Sequence, residues 1–232
     1  MAVRSVYLPE PFIEGDQVRI HGEEHHHLIV ARVEPNEVIE IFDGKGSTWT
    51  ATVVSIGKRE TVARISSSRK IQRDPNELIL AAALIRIASF ELALEKVVEI
   101  GVTHIVPFTA ERSNVAPGDR HDRWMRILIE AAKQSKQYYL PALDAPVSFD
   151  EVISMPAKSK IIFAERDGRS LKSALAGSPV MYLIGPEGGW TDRELLRARN
   201  AGFHAVSLGT AILKAETAAI VGAALIRYEF GI

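Results

Sequence analysis

Two glycine-bearing turns near the C-terminal end hold the residues best suited to grip a ligand. Gly185-Pro186-Glu187-Gly188-Gly189 follows the apolar run Val180 to Ile184, and Leu208-Gly209-Thr210-Ala211-Ile212-Leu213-Lys214-Ala215 follows the short apolar run Ala205 to Leu208. Glycine tolerates positive φ and lets backbone approach a bound molecule closely. In open α/β sheets, ligands bind beyond the carboxyl ends of the strands. A pair of such turns points to a nucleotide-like ligand held by backbone groups. No GxGxxG follows the first strand and no GK[ST] is present, so neither phosphate-binding fingerprint applies and the spacing leaves the ligand open. Thr191 and Glu194 have capping-box spacing, which starts a helix just after the first turn. Gly202 stops that helix. Glu216 and Thr217 open the last helix, where a carboxylate gains about 0.3–1 kcal/mol from the macrodipole.

Composition narrows the chemistry. The 232 residues include no cysteine, which excludes disulfides, thiolate metal sites and cysteine nucleophiles. A formal net charge of -1 means that any nucleic-acid contact needs a local basic patch. The opening MAVRSVYLPEPF has no apolar core of the secretory type. The longest apolar runs, such as Leu78 to Ile85, fall short of a membrane span. A cytoplasmic protein is the expectation.

The elements that position the two turns belong to the second of two parts. Residues 1 to about 70 read as β: Val18 to Ile20, Val38 to Phe42, Thr48 to Ile56 and Glu60 to Ile65 are short, rich in Val, Ile and Thr, and punctuated by turns, which predicts a small barrel or sandwich. Trp49, Ala51 and Val53 alternate onto one face, and Asp43-Gly44 makes a hairpin turn. His25, His26 and His27 do not converge from a strand or a helix, so no metal site is expected. Ser66 to Glu77 is polar and contains Pro75. It reads as a linker and places the boundary between parts covering 1–71 and 72–232.

From Leu78 the pattern becomes βαβ. Leu78 to Ile85 is a strand buried on both faces. Ser89 caps a helix whose apolar face is Phe90, Leu94, Val97 and Val98, and Gly101 ends it. His104 to Phe108 is the next strand, so the sheet is parallel. Asp122 to Gln137 is a helix with Trp124, Ile127, Leu128 and Ala131 on one side and Arg123, Arg126, Lys133 and Lys136 on the other, either a solvated face or one turned toward phosphates. Phe149 to Ser154 and Ser170 to Ala176 are short helices, and Ile161 to Ala164 is a further strand.

The pair IGPEGGWTDRE and SLGTAILKAETAA resembles the signature of the RsmE-type 16S rRNA (uracil-N3)-methyltransferases, members of the knotted SPOUT superfamily. EEHHHLIVAR with IFDGKG, then FELALEKVVEIGVTHIVPFTAERS, Arg123-Trp124 and AAKQSKQYYLP are similar to the family in the family's order, so the resemblance spans the chain. It implies a small PUA-like β-barrel followed by an α/β SPOUT domain, a parallel sheet flanked by helices with a C-terminal deep trefoil knot. It implies S-adenosylmethionine as cofactor, a homodimer, and methylation of N3 of one uridine in 16S rRNA of the small ribosomal subunit.

By the same resemblance, the cofactor would be held by Leu183, Ile184, Gly185, Pro186, Glu187, Gly188 and Gly189 of the first loop. Ser207, Leu208, Gly209, Ile212 and Leu213 would hold it from the second, Thr217 lies close enough in sequence to that loop to contribute, and Phe163, Ala164 and Glu165 would form a third wall. Ile and Leu side chains would enclose the adenosine. Catalytic candidates are Arg112 and Lys214, to stabilise charge on the uracil oxygens, with Gln134 and Glu187. Phosphate contacts are expected from Arg4, His27, Arg32, Lys45, Arg69, Lys70 and Arg73. The family's second loop usually reads RILRTETA. Here Ala211 and Lys214 replace its arginines and Ala215 its threonine, and Lys133-Gln134-Ser135-Lys136-Gln137 replaces Glu-Gln-x-x-Arg. Lysine keeps the charge without the bidentate fork. Two other functions fit the same residues: methylation of another RNA base, or a non-catalytic cofactor-binding factor in ribosome assembly.

Overall fold

The computed structural model describes residues 3–115, 118–164 and 170–230. The chain forms two compact units. One takes residues up to Arg73 together with Ala132–Leu140, and the other takes Asp74–Ala131 and the residues from Pro141 onward.

The first unit contains β1 (Arg4–Tyr7), β2 (Phe12–Glu14), β3 (Gln17–Ile20), α1 (Gly22–Val30), β4 (Val38–Phe42), β5 (Ser47–Ile56) and β6 (Thr61–Lys70). They make one six-stranded sheet in the order β1-β4-β5-β6-β3-β2. Its core gathers Val6, Val18, Ile20, Ile39, Ile41, Ala51, Val53 and Ala63, with Trp49 packed against it, so the alternation of Trp49, Ala51 and Val53 holds. At the Asp43-Gly44 turn, Asp43 Oδ1 accepts from the backbone N–H of Lys45 (2.7 Å) and of Ser47 (2.8 Å). Gly44 has φ 72°, which favours glycine.

Two expectations for this unit are corrected. A stretch read as wholly β holds the helix α1. Its inward pair is His25 and Leu28, and a histidine in place of one apolar residue hides the i, i+3 spacing that marks a helix. His25 is buried with Nδ1 2.8 Å from Thr61 Oγ1, while His26 and His27 are exposed, so the three rings diverge. Ser66 to Lys70 is not linker but the end of β6, paired with β5 from Ser47↔Lys70 to Thr50↔Ser67. Backbone pairing holds it extended whatever its side chains.

The segment 132–140 is tied into this unit by charge. Lys133 Nζ donates to Glu24 at 3.0 Å, and the two side chains are only 9% and 12% exposed. The Lys136 ammonium donates to Ser5 Oγ (2.7 Å) and Glu40 (2.9 Å), and Tyr138 Oη donates to Glu40 (2.9 Å). Burial holds the Glu24 carboxyl above the usual carboxylate range, although Lys133 opposes it. Lys133→Ala strands a buried carboxylate, so the unit should lose about 3 kcal/mol. A carboxyl with a raised folded pKa contributes stability below its unfolded value and loses it as pH rises through the raised value. The loss in Lys133→Ala should therefore be deeper at neutral pH than in mild acid, which denaturant titration at both conditions measures.

In the second unit, β7 (Leu78–Ala83), α2 (Ile87–Ile100), β8 (His104–Thr109), α3 (His121–Ser135, whose last residues join the first unit), β9 (Ala142–Leu143), β10 (Val147–Ser148) and α4 (Phe149–Ser154) come first. Then follow β11 (Ser159–Phe163), α5 (Leu171–Ala174), β12 (Val180–Ile184), α6 (Asp192–Asn200), β13 (His204–Val206) and α7 (Ala215–Glu229). The sheet runs β10-β8-β7-β12-β11-β13 with β9 beside β8, and its pairings are parallel. Alternate residues serve its two faces. Ile79, Ala81, Ala83, Met181 and Leu183 pack with Phe149 and Val152 of α4 and Ala198 of α6. On the other face α7 packs on α2, β7 and β12. Both faces are covered, so β7 and β12 are apolar throughout and fully buried. A fully buried Leu or Ile side chain contributes about 1.5–3 kcal/mol. Buried Tyr182 donates its hydroxyl to the carbonyl of Ala219 in α7 (3.1 Å).

The expected cap of α2 also needs correction. The N-cap is Arg86, without a side-chain bond, and Ser89 lies inside the first turn. Gly101 ends the helix at φ 90°. The basic side of α3 is largely paired: Arg123 donates to Glu91 (2.7 Å), and Lys133 and Lys136 reach Glu24 and Glu40.

Candidate active site

Strands β12, β11 and β13 are adjacent and end level. Ile162 pairs with Leu183, and Phe163 with Val206. The segments that leave them, from Ala164, Gly185 and Ser207, therefore depart from one edge of the sheet. The sequence placed these three segments 20 or so residues apart, and the parallel register brings them together. Glu165 lies outside the described residues.

The first loop is built around Trp190. Its indole N–H donates to the Phe163 carbonyl at 2.8 Å, which bridges the ends of β12 and β11. The ring stacks on Phe108 at 6.1 Å and 6°. A Cβ at Gly185 would lie 2.9 Å from the Trp190 ring, so glycine is required there for packing. Gly189 closes the turn by donating to the Pro186 carbonyl (2.9 Å), with φ 69°. In the second loop, Gly209 has φ 121° and exchanges hydrogen bonds with Ser207: Ser207 Oγ donates to the Gly209 carbonyl (2.9 Å) and accepts from its N–H (3.3 Å). A Cβ at Gly189 or at Gly209 would meet no protein atom within 4 Å. Both turns thus leave room on the side where a side chain would stand, enough for a planar ligand to lie against the chain.

The enclosing walls are partly different from expectation. Leu183 is wholly buried among Ile162 and Met181, so it can offer only backbone. Phe163 is also a core residue, edge-on to Tyr182 at 6.0 Å and seated over Gly222 of α7, where a Cβ would fall 2.6 Å from its ring. Ile184 and Pro186 are buried, while Ala164, Ser207, Leu208, Leu213 and Thr217 are half-buried. Ile212 is 78% exposed, an apolar side chain at the lip of the second loop.

Three of the four catalytic candidates lie in the second unit. Arg112 Nη1 donates to the carbonyls of Gly188 (2.8 Å) and Trp190 (3.4 Å), which sets its guanidinium beside the first loop. Glu187 accepts from Arg86 Nε at 3.0 Å, a pairing that suits orientation better than proton abstraction. Lys214 is exposed at the N-cap of α7 with no side-chain cap bond. Gln134 is exposed on the last turn of α3, in the segment that belongs to the first unit.

The candidates for phosphate contact are all exposed residues of the first unit. Lys70 Nζ donates to the Lys45 carbonyl (2.7 Å), so these two stand together, and Arg69 reaches Glu40 at 3.5 Å. The Arg4 guanidinium donates to the Ala31 carbonyl (2.9 Å). The Arg73 guanidinium lies over the Tyr139 ring at 5.9 Å. Arg32 holds a positive φ of 53°. His27 Nδ1 stands 3.8 Å from Glu24.

Sequence reasoning missed three residues of the site. Trp190 stood inside the quoted motif as the one aromatic ring of its loop. Glu194 was visible only as a cap. Arg86, an exposed cation ending an apolar run, gave no signal.

The profile of an RNA methyltransferase domain matches residues 72–227, and that of an RNA methyltransferase PUA domain matches residues 20–66. A ribosomal RNA small subunit methyltransferase E of Synechocystis is 32% identical over 97% of this chain and 77% of its own length. The structure of the Neisseria gonorrhoeae protein of the same name, bound to S-adenosyl methionine, superposes with a TM-score of 0.91 at 33% identity, covering 98% of each chain. A Legionella pneumophila protein solved with S-adenosylmethionine bound gives 0.91 at 27% identity, again over 98% of each chain.

Proposed function

Since this chain belongs to the ribosomal RNA small subunit methyltransferase E family, we propose that its reaction is methyl transfer from S-adenosylmethionine to N3 of one uridine in 16S rRNA. That it is an S-adenosylmethionine-dependent methyltransferase of small-subunit rRNA follows from the family itself. The position on the base, the residues and the assembly are our reading. A homodimer and a knotted C-terminal region complete it. Among the described residues no helix is long and apolar enough to cross a membrane.

The observation that carries the reading is the level ending of β11, β12 and β13 with two glycine turns open to space. An adenosine needs a flat slot against the chain, and Gly189 and Gly209 bring no side chain to crowd it. The residues therefore fit the cofactor. When bound there, it supplies an electrophilic methyl on sulfur. The chain's own residues do the rest. Gly185 to Gly189 and Ser207 to Leu213 hold the slot. Arg112, on the loop after β8 and bonded to the first glycine loop, and Lys214, at the N-cap of α7, offer positive charge to the uracil oxygens, which favours loss of the N3 proton to solvent as N3 takes the methyl. The pyrimidine must be unpaired for N3 to be reached.

Small subunits lacking the modification should accept label from S-adenosylmethionine, and mass mapping should place it on uracil N3. Label on another base would correct the target. Cofactor binding without transfer to any RNA would remove catalysis and leave an assembly role. In the same assay Lys214→Ala should lower turnover by about a hundredfold, the low end for loss of one preorganised donor at a developing anion. Unchanged turnover takes Lys214 out of the mechanism. Binding to the subunit should weaken with salt, by roughly 0.7–0.9 log units per log unit of salt for each phosphate contact. Alanine at Lys70 should reduce that slope by about one contact.

A further inference from the structure

A buried carboxylate joins the two loops that flank the proposed transfer site. Glu194 is fully inaccessible, and removing a charge from water costs several kcal/mol unless donors satisfy it. One oxygen, Oε2, accepts from Thr191 N–H (2.9 Å) and Thr191 Oγ (3.0 Å). Those bonds complete the cap of α6. The other oxygen, Oε1, accepts from the backbone N–H of Glu111 (2.9 Å), which comes from the loop after β8. The same chain contains a control. Glu151 closes the capping box of α4 through Ser148, yet it is exposed and both its capping bonds, at 2.7 Å, go to Ser148. A cap therefore needs neither burial nor a second loop.

Two more links run between the same loops. Arg193 Nε donates to Glu111 Oε1 at 2.8 Å, and Arg112 Nη1 to the Gly188 carbonyl at 2.8 Å. At Gly188 a Cβ would sit 3.1 Å from Arg112 Cβ, so the backbones approach as closely as glycine permits. Among the described residues Arg112 forms no ion pair, and its charge is not spent on a carboxylate. We propose that Glu194 is a positioning residue for the methyl transfer, fixing the Arg112 loop against the first glycine loop so that the guanidinium stands at the developing charge. This rests on the role proposed for Arg112 and extends it.

The test compares Glu194→Gln, Arg112→Ala and the double variant, with Arg193→Ala as a surface variant that leaves the core intact. Turnover on small subunits is measured, together with S-adenosylmethionine affinity, thermal midpoint and amide hydrogen exchange at Glu111. Glutamine keeps the shape but turns one acceptor into a donor. Turnover in Glu194→Gln should fall by about ten- to a hundredfold, the scale of a misplaced group, with cofactor affinity unchanged and faster exchange at Glu111. Arg193→Ala should shift turnover the same way by less. In the Arg112→Ala background Glu194→Gln should add little, because both act through one guanidinium. Additive losses, unaltered Glu111 exchange, or full activity in Arg112→Ala would each overturn the proposal. Were the unsubstituted protein to transfer no methyl group to any RNA, the functional reading would fall, and exchange at Glu111 would still decide the clamp.

Discussion

Replacing Arg112 by alanine should cut turnover by about a hundred- to a thousandfold, the usual cost of removing one preorganised donor at a developing anion. The geometry behind this expectation is specific. Arg112 sits on the loop after β8, and its Nη1 is held by the carbonyls of Gly188 and Trp190. Its reorganisation is thus complete before substrate arrives. The guanidinium remains exposed and can meet a pyrimidine presented at the edge of the sheet. Affinity for S-adenosylmethionine should change little, because the role proposed for Arg112 is exercised on the pyrimidine and not on the cofactor. Lysine should not restore the rate, since a single ammonium cannot keep the two carbonyl contacts and also offer a planar fork. Single-turnover kinetics and equilibrium binding on the same preparations separate the two effects. A fall confined to cofactor affinity would move Arg112 from the chemistry to the architecture of the loop.

Trp190→Ala should have the largest effect on stability at this site. Truncating a packed aromatic costs about 3–5 kcal/mol. Here the ring is half-buried, so the lower end of that range is expected. It bridges Phe108, Phe149 and the backbone of Gly185. Its N–H is also the direct bond between the β12 loop and the β11 carbonyl of Phe163. If the proposed site is right, the cofactor should bind more weakly in proportion, because two of its three proposed walls are no longer fixed to each other. Trp190→Phe divides the two contributions. It keeps an aromatic ring against Phe108 and leaves the Phe163 carbonyl without its donor, at about 1–3 kcal/mol if that carbonyl stays dry. Denaturant unfolding and cofactor titration read both. A Trp190→Phe variant matching the parent in stability and affinity would show that packing alone matters.

The parts of this fold that were legible have short-range causes. Leu78–Ala83 and Val180–Ile184 are continuous apolar runs because both faces of their sheet are covered, and that state needs no polar alternation. The capping box of Thr191 and Glu194 and the stop at Gly202 are local chemistry, and both appear as read. The helix α1 was not legible, since its buried positions are a histidine and a single leucine. Nor was the strand character of Ser66–Lys70, which comes from pairing with β5 rather than from its side chains. The membership of Ala132–Leu140 in the first unit is settled by Lys133, Lys136 and Tyr138 finding Glu24 and Glu40, residues 96 to 109 positions away in sequence.

The sequence by itself determined that two glycine turns end two strands of a parallel sheet, because glycine placement and apolar runs are local properties of the chain. It also carried, by resemblance, the family to which the chain belongs. Only the tertiary structure decided what each turn is made of. Gly185 and Gly188 stand where a Cβ would press on Trp190 and Arg112, whereas Gly189 and Gly209 hold positive φ, 69° and 121°, with no neighbour crowding them. Spacing cannot make that distinction, since all four look alike along the chain. It arises where parallel register levels three strand ends and a buried carboxylate, Glu194, reaches a backbone N–H 83 residues away.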